Sequence, residues 1–182
     1  MSPRACCPAC KPLDQPIVIT GFMAAGKTTL AQALARLLNC GAIDLDQLIT
    51  SAEQRNPKEI IEQDGESAFR EIETRHLRET LALAPHQVIA LGGGAWTLQR
   101  NRDLIAAHEG FTVWLDAPFA LCWQRIVAGC GGRPLAANKE QARGLHAERR
   151  PFYELALFHV RADSQASVDD LARVIAEAFK NR

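Results

Sequence analysis

No sign of charge prevails in this sequence: Lys and Arg together number 21, and so do Asp and Glu. A dedicated nucleic-acid module would carry a basic excess, and a membrane-surface protein a polybasic face. Neither class fits the balance. No apolar run approaches the ~18–20 residues that a membrane span requires. The segment MSPRACCPACKPLDQ lacks the apolar stretch of a secretory signal, which predicts that the chain is not exported. Repeats and low-complexity linkers are absent as well. What is left has the composition of a globular domain. The 182 residues are 47% hydrophobic and 23% charged, enough to bury a core of ordinary size in one unit.

Three of the six cysteines, Cys6, Cys7 and Cys10, crowd into CCPAC, and Cys7 and Cys10 have the CxxC spacing of redox and zinc sites. No second pair or grouped histidines complete a zinc set, since Cys40, Cys122 and Cys130 are scattered. The CxxC also precedes the first predicted strand, whereas a thioredoxin-like motif opens a helix after one. Residues 1–15 are therefore expected to form a flexible Cys-rich tail, and residues 16–182 one domain. The remaining thiols are expected to be reduced, in the cytoplasm.

Apolar β-branched runs alternate with helical spacing from residue 16 onward. Ile17-Val18-Ile19-Thr20, Ala42-Ile43, Val88-Ile89-Ala90-Leu91 and Phe111 to Leu115 read as strands, and Leu157 to Val160 as a weaker fifth. Leu30, Leu34, Leu37 and Leu38 mark a helix over 28–38. The stretch from Leu48 to Leu83 reads as helix broken near Asn56-Pro57 and Asp64-Gly65. Ser167 predicts the N-cap of a last helix ending near Lys180. Strands alternating with helices predict an α/β fold: a five-stranded parallel sheet with helices on both faces.

Gly21-Phe22-Met23-Ala24-Ala25-Gly26-Lys27-Thr28 matches G-x-x-x-x-G-K-[ST] in full, between a predicted strand and a predicted helix. A glycine-bounded loop can wrap an anion with backbone N–H groups, and the helix that follows adds its positive end. Ala24, Ala25, Gly26, Lys27, Thr28 and Thr29 are thus candidate ATP contacts. Lys27 would reach the outer phosphates, and Thr28 would offer its hydroxyl to Mg²⁺. Asp44-Leu45-Asp46 follows the second strand, where open α/β sheets keep their ligand crevice. Read as strand residues, the two carboxylates share a face. Asp44 would hold Mg²⁺ through water, and Asp46 would accept a hydrogen bond from a substrate hydroxyl. Asp46 is also a candidate N-cap for the next helix.

GFMAAGKTT, DLD, GESAFREIE, LGGGA, GRPL and RRPFY, in this order, resemble the shikimate kinase family over roughly residues 16–180. The resemblance implies a P-loop kinase fold and transfer of phosphate from MgATP to the 3-hydroxyl of shikimate, a cyclic polyol carboxylate on the route to the aromatic amino acids. It implies that Arg70 and Arg149 clamp the carboxylate, a task that suits a planar guanidinium. Gly92, Gly93 and Gly94 would contact the ring, with Asp46 on the hydroxyl. Residues 128–140 would form a lid whose Arg133 closes on the phosphates, making Lys27, Asp46 and Arg133 the catalytic set. Arg125 and Gln165 match positions near the adenine, with a plain surface role as the alternative. Glu73 would hold Arg70 or touch a hydroxyl, or simply form an i,i+3 pair.

Pro57 and Ile61 depart from the usual occupants of their positions, and Trp96 is larger than the common one. All three are expected in the wall of the substrate pocket, whereas Trp114 and Trp123 are expected in the core. The partners implied are ATP and shikimate, with no nucleic acid and no membrane, for a monomer in the cytoplasm. A gluconate-type or other small hydroxy-acid kinase, and a nucleotide-binding regulatory module without catalysis, remain the alternatives.

Overall fold

The computed structural model describes residues 13–83, 87–129, 138–163 and 167–182. The cysteines of CCPAC, Arg133 with most of the expected lid, and Gln165 lie outside them. The elements run β1 (Ile17–Thr20), α1 (Lys27–Leu38), β2 (Gly41–Asp44), α2 (Leu45–Glu53), α3 (Pro57–Asp64), α4 (Glu66–Leu83) and β3 (Gln87–Ala90). A 3-10 turn (Ala95–Thr97) follows, then α5 (Gln99–Ala107), β4 (Phe111–Asp116), α6 (Phe119–Ala128), α7 (Lys139–Tyr153), β5 (Phe158–Arg161) and α8 (Val168–Lys180). The five strands are all parallel, in the order β2-β3-β1-β4-β5.

β1 lies at the centre of the sheet because it has no polar face to expose. Ile17, Val18 and Ile19 are each 0% exposed, and each such side chain contributes roughly 1.5–3 kcal/mol by leaving water. Phe111, Val113, Trp114 and Leu115 of β4 are buried beside it, so Trp114 belongs to the core as expected. Trp123 is half-buried and stacks on Phe119 of its own helix. On one face, α1 packs against α8, and Leu30, Ala31 and Leu34 of the one and Ala172, Ile175 and Ala176 of the other are buried. α4 packs with α2, α3 and α5.

The two breaks read in the sequence between Leu48 and Leu83 have physical causes. Asn56 caps α3: its Oδ1 accepts from Glu59 N at 3.0 Å while Glu59 Oε2 accepts from Asn56 N at 2.7 Å. Pro57 then occupies the first helical position, where no N–H is needed. Gly65, at φ 89°, ends α3 and lets α4 start in a new direction. Ser167 caps α8 by accepting from Asp169 N at 3.2 Å. Cys122 is buried and Cys40 half-buried, and neither is bonded to another cysteine.

The order of the strands fixes where a ligand sits. From β1 the chain crosses to β2 on one side, and from β4 it runs to β5 on the other. The connections diverge at the carboxyl ends of β1 and β4, which opens a crevice there.

Candidate functional site

A crevice of about 860 Å³ opens at that edge, lined by Lys27, Thr28, Asp46, Arg70, Arg125 and Arg149 among others. The loop from Gly21 to Gly26 forms one side. Gly21 passes so close to β4 that a Cβ on it would lie 2.7 Å from the Leu115 carbonyl oxygen, and Gly26 holds φ 109° just before α1. Only glycine meets both demands without strain. Lys27 is 9% exposed, and its Nζ donates to the carbonyls of Gly21 (3.0 Å) and Phe22 (2.8 Å). Arg125 reaches across from α6 to donate to the carbonyls of Ala24 (3.2 Å) and Ala25 (2.6 Å). With these carbonyls engaged, the loop's N–H groups and the start of α1 give it an anion-binding character. Thr28 and Thr29 occupy the first turn of α1 and line the crevice.

Asp44 and Asp46 do not share a strand face. β2 ends at Asp44 and α2 begins at once with Leu45, so the repeat changes from two residues to 3.6 between the two carboxylates. Asp44, rather than Asp46, is the N-cap: its Oδ1 accepts from Gln47 N at 3.1 Å. Its Oδ2 accepts a short hydrogen bond from the Thr28 hydroxyl. Asp46, in the first turn of α2, faces the glycine run instead.

The three glycines at 92–94 each clear a different neighbour. A Cβ on Gly92 would sit 2.6 Å from Asp46 Oδ1 and 2.8 Å from Glu73 Oε1. One on Gly93 would sit 3.3 Å from Met23 N of the phosphate loop and 3.6 Å from Arg149 Nη1. One on Gly94 would meet Arg70 Cζ at 2.8 Å. Three consecutive residues thus bring together the loop, two carboxylates and two arginines, which any side chain there would push apart.

Arg70 and Glu73 are one turn apart on α4, with Glu66 a turn before, so all three share a helix face. Arg70 Nη1 donates to Glu73 Oε2 at 2.8 Å and Nη2 to Glu66 Oε1 at 2.9 Å, with Phe69 beneath the guanidinium at 5.2 Å. Burial works against the charge on Arg70, but Glu73 and Glu66 more than offset it and hold the guanidinium protonated. Glu73 is 0% exposed. Burial pushes its carboxyl up to about 7; Arg70 opposes this, Asp46 adds to it and Arg149 opposes it. Its Oε1 finds no hydrogen-bond partner among the described residues.

Arg149 and Tyr153 project from the same face of α7, four residues apart. Arg149 is 6% exposed, and the Tyr153 hydroxyl donates to the Gly93 carbonyl. Burial pushes that phenol up to about 12, so it stays a donor at neutral pH. Arg150 turns the other way, pairing with Asp116 at 3.3 Å and Glu154 at 3.2 Å and stacking over Trp114.

Pro57 and Ile61 line the crevice, as their departures from the usual residues lead one to expect. Trp96 does not. It is 4% exposed, and its indole N–H donates to the Phe152 carbonyl at 2.8 Å, fastening the turn after the glycines to α7. Its size therefore bears on packing rather than on the pocket wall. Lys58 also lines the crevice, and Tyr153 fixes the glycine run. Lys58 belongs to no motif, and Tyr153, although it ends RRPFY, bonds to a glycine 60 residues earlier in the chain, which the sequence does not display.

The family model for shikimate kinase matches residues 23–180. A shikimate kinase of Ruegeria pomeroyi is 38% identical over 168 residues, covering 90% of this chain and 85% of that protein. One of Corynebacterium efficiens is 38% identical over 163 residues, covering 87% and 94%. Among solved structures, the shikimate kinase of Acinetobacter baumannii in complex with shikimate superimposes with a TM-score of 0.84 at 33% identity, covering 92% of this chain and 93% of that one. With a family match of this extent and relatives this similar along nearly the whole length, the chain belongs to the shikimate kinase family and is a kinase of the shikimate pathway.

Proposed function

We propose that the protein transfers the terminal phosphoryl group of ATP to the 3-hydroxyl of shikimate, giving shikimate 3-phosphate and ADP. The observation that carries this reading is the glycine run 92–94, whose consecutive residues lie against the phosphate loop, Asp46, Arg70 and Arg149. An acceptor bound there has its carboxylate between two guanidinium groups, its hydroxyl at Asp46, and the phosphate donor beside it. Holding both reactants in place supplies much of the rate of such a transfer.

In this reading ATP lies on Ala24, Ala25, Gly26, Lys27, Thr28 and Thr29. Arg125 steadies the loop, and Gln165 contacts the adenine. Shikimate is held by Arg70, Arg149, Gly92, Gly93, Gly94 and Asp46. The hydroxyl oxygen attacks the γ-phosphorus, its proton passes to Asp46, and the bond to the ADP oxygen breaks. Charge that spreads over the transferring group is met by Lys27 and by Arg133. The loose character of such transition states asks little of a base, so Asp46 acts chiefly by positioning.

Thr28 and Asp44 suit Mg²⁺. They are hard oxygen donors already in contact with each other, one a hydroxyl and the other a carboxylate that reaches a metal through water. The ion, when bound, neutralises phosphate charge. The protein acts as a cytoplasmic monomer.

Release of ADP by the purified protein tests the reading, with MgATP and, in turn, shikimate, gluconate and nucleoside monophosphates. Shikimate-dependent turnover is expected. Turnover on another acceptor without turnover on shikimate would overturn it.

A further inference from the structure

Glu73 has more buried charge around it than its ion pair with Arg70 explains. Oε2 accepts from Arg70 Nη1 at 2.8 Å, while Oε1 has no partner among the described residues. That oxygen and Asp46 Oδ1 flank the same small space over Gly92, at 2.8 Å and 2.6 Å from the point a Cβ there would occupy. The charged groups that bear on Glu73 are Arg70 on its own helix, Asp46 from α2 and Arg149 from α7. Glu66 faces Arg70 from the solvent side, with its side chain 51% exposed.

We propose that binding of the substrate carboxylate is coupled to uptake of one solvent proton by Glu73, held on Oε1. With Glu73 and Asp46 ionised against Arg70 and Arg149, the buried charges balance. A substrate carboxylate placed between the two arginines adds a third negative charge and competes for the cation that holds Glu73 ionised. Beside a carboxylate as buried as Glu73 the like charges repel strongly, and a proton on Glu73 restores the balance. Burial has already raised this carboxyl to about 7, so the proton is taken near neutral pH. In the balanced step, ionised Glu73, a proton from water and the substrate anion give neutral Glu73 and the bound anion. Oε2 remains the acceptor for Arg70, and the substrate carboxylate, with an ordinary pKa of about 4, stays ionised. Glu73 is thus a positioning residue, acting through Arg70. The inference rests on the placement of shikimate under the proposed function.

The test is calorimetric titration of the whole protein with shikimate between pH 6 and 9, in Pipes, Hepes and Tris. The binding heat should depend on the buffer, with uptake of roughly half a proton at pH 7 and more above it. Affinity should fall as pH rises above 7, by up to about tenfold per unit. In Glu73→Gln, shikimate should still bind while the buffer dependence disappears and the pH profile flattens. Should that variant not fold, the infrared difference spectrum of the unmodified protein on adding shikimate should show a new protonated-carboxyl band. Binding with no proton uptake, uptake that persists in Glu73→Gln, or no such band would overturn the coupling. No binding of shikimate at all would overturn the substrate reading itself.

Discussion

Gly92 sets how closely two carboxylates can approach the end of β3. A methyl group there would stand 2.6 Å from Asp46 Oδ1 and 2.8 Å from Glu73 Oε1, inside van der Waals contact with both. Gly92→Ala should therefore turn Asp46 away from the crevice and leave the phosphate loop in place. Displacing a reacting group by about 1 Å costs on the order of 100-fold in rate. We expect a loss of that size in kcat/KM for shikimate, with the KM for ATP little changed, in steady-state assays.

Glu73 also has a signature in stability. Its carboxyl titrates near 4.5 in an unfolded chain and about 7 here, so between these values the folded protein holds a proton that the unfolded chain has released. Its contribution is full below 4.5 and is lost as pH rises through 7. Glu73→Gln cannot ionise, so its melting temperature relative to the unmodified protein should be several degrees higher at pH 8 than at pH 5. Thermal melts of both proteins at the two pH values check this. An equal difference at the two pH values would show that Glu73 does not change its proton affinity on folding.

At the scale of the element, α3 depends on its first turn. It has only eight residues, carries Pro57 and Ile61 into the crevice, and begins with the reciprocal bonds of Asn56 and Glu59. Asn56→Ala should cost about 1 kcal/mol and lower the melting temperature by roughly 2–4 °C. It should raise the KM for shikimate more than that for ATP, since α3 packs with α2 and α4 and α4 carries Arg70.

How legible each element is in the sequence follows from burial. β1, β3 and β4 are plain because parallel strands covered on both faces are continuous apolar runs. β2 is faint because it lies at the edge of the sheet, with Gly41 and Ala42 exposed. The Asp44–Asp46 geometry misleads because no loop separates β2 from α2, so a strand reading runs on two residues too far. Trp96 misleads because its hydrogen bond runs to Phe152, far along the chain, and Glu73 hides its burial because a helical repeat does not reveal what covers a face. Strand order rests on such long-range pairings too. The P-loop and the glycine run are local, and local patterns are what a sequence displays.

At the scale of the whole molecule, the phosphate loop, α1 and Arg125 line the crevice together with α2, α3, α4, the glycine run and Arg149. Under the proposed function the first group serves ATP and the second shikimate. Each ligand should then stabilise the fold on its own account. At about 100 times its dissociation constant a ligand adds roughly 2.7 kcal/mol, which melting curves resolve. Arg70→Ala should abolish the shift produced by shikimate at the same concentration and keep the one produced by ATP. Loss of both would show that the two groups do not act separately.

Lys27 carries a consequence for the bench. The residue is 9% exposed and its ammonium is already bonded to the carbonyls of Gly21 and Phe22, so folding has done much of its dehydration. A largely buried cation at the start of a helix answers to any small tetrahedral oxyanion, whether or not a nucleoside is attached. Phosphate and sulfate are therefore expected to compete with the nucleotide, so the apparent Michaelis constant for ATP should rise with the concentration of either salt in steady-state assays.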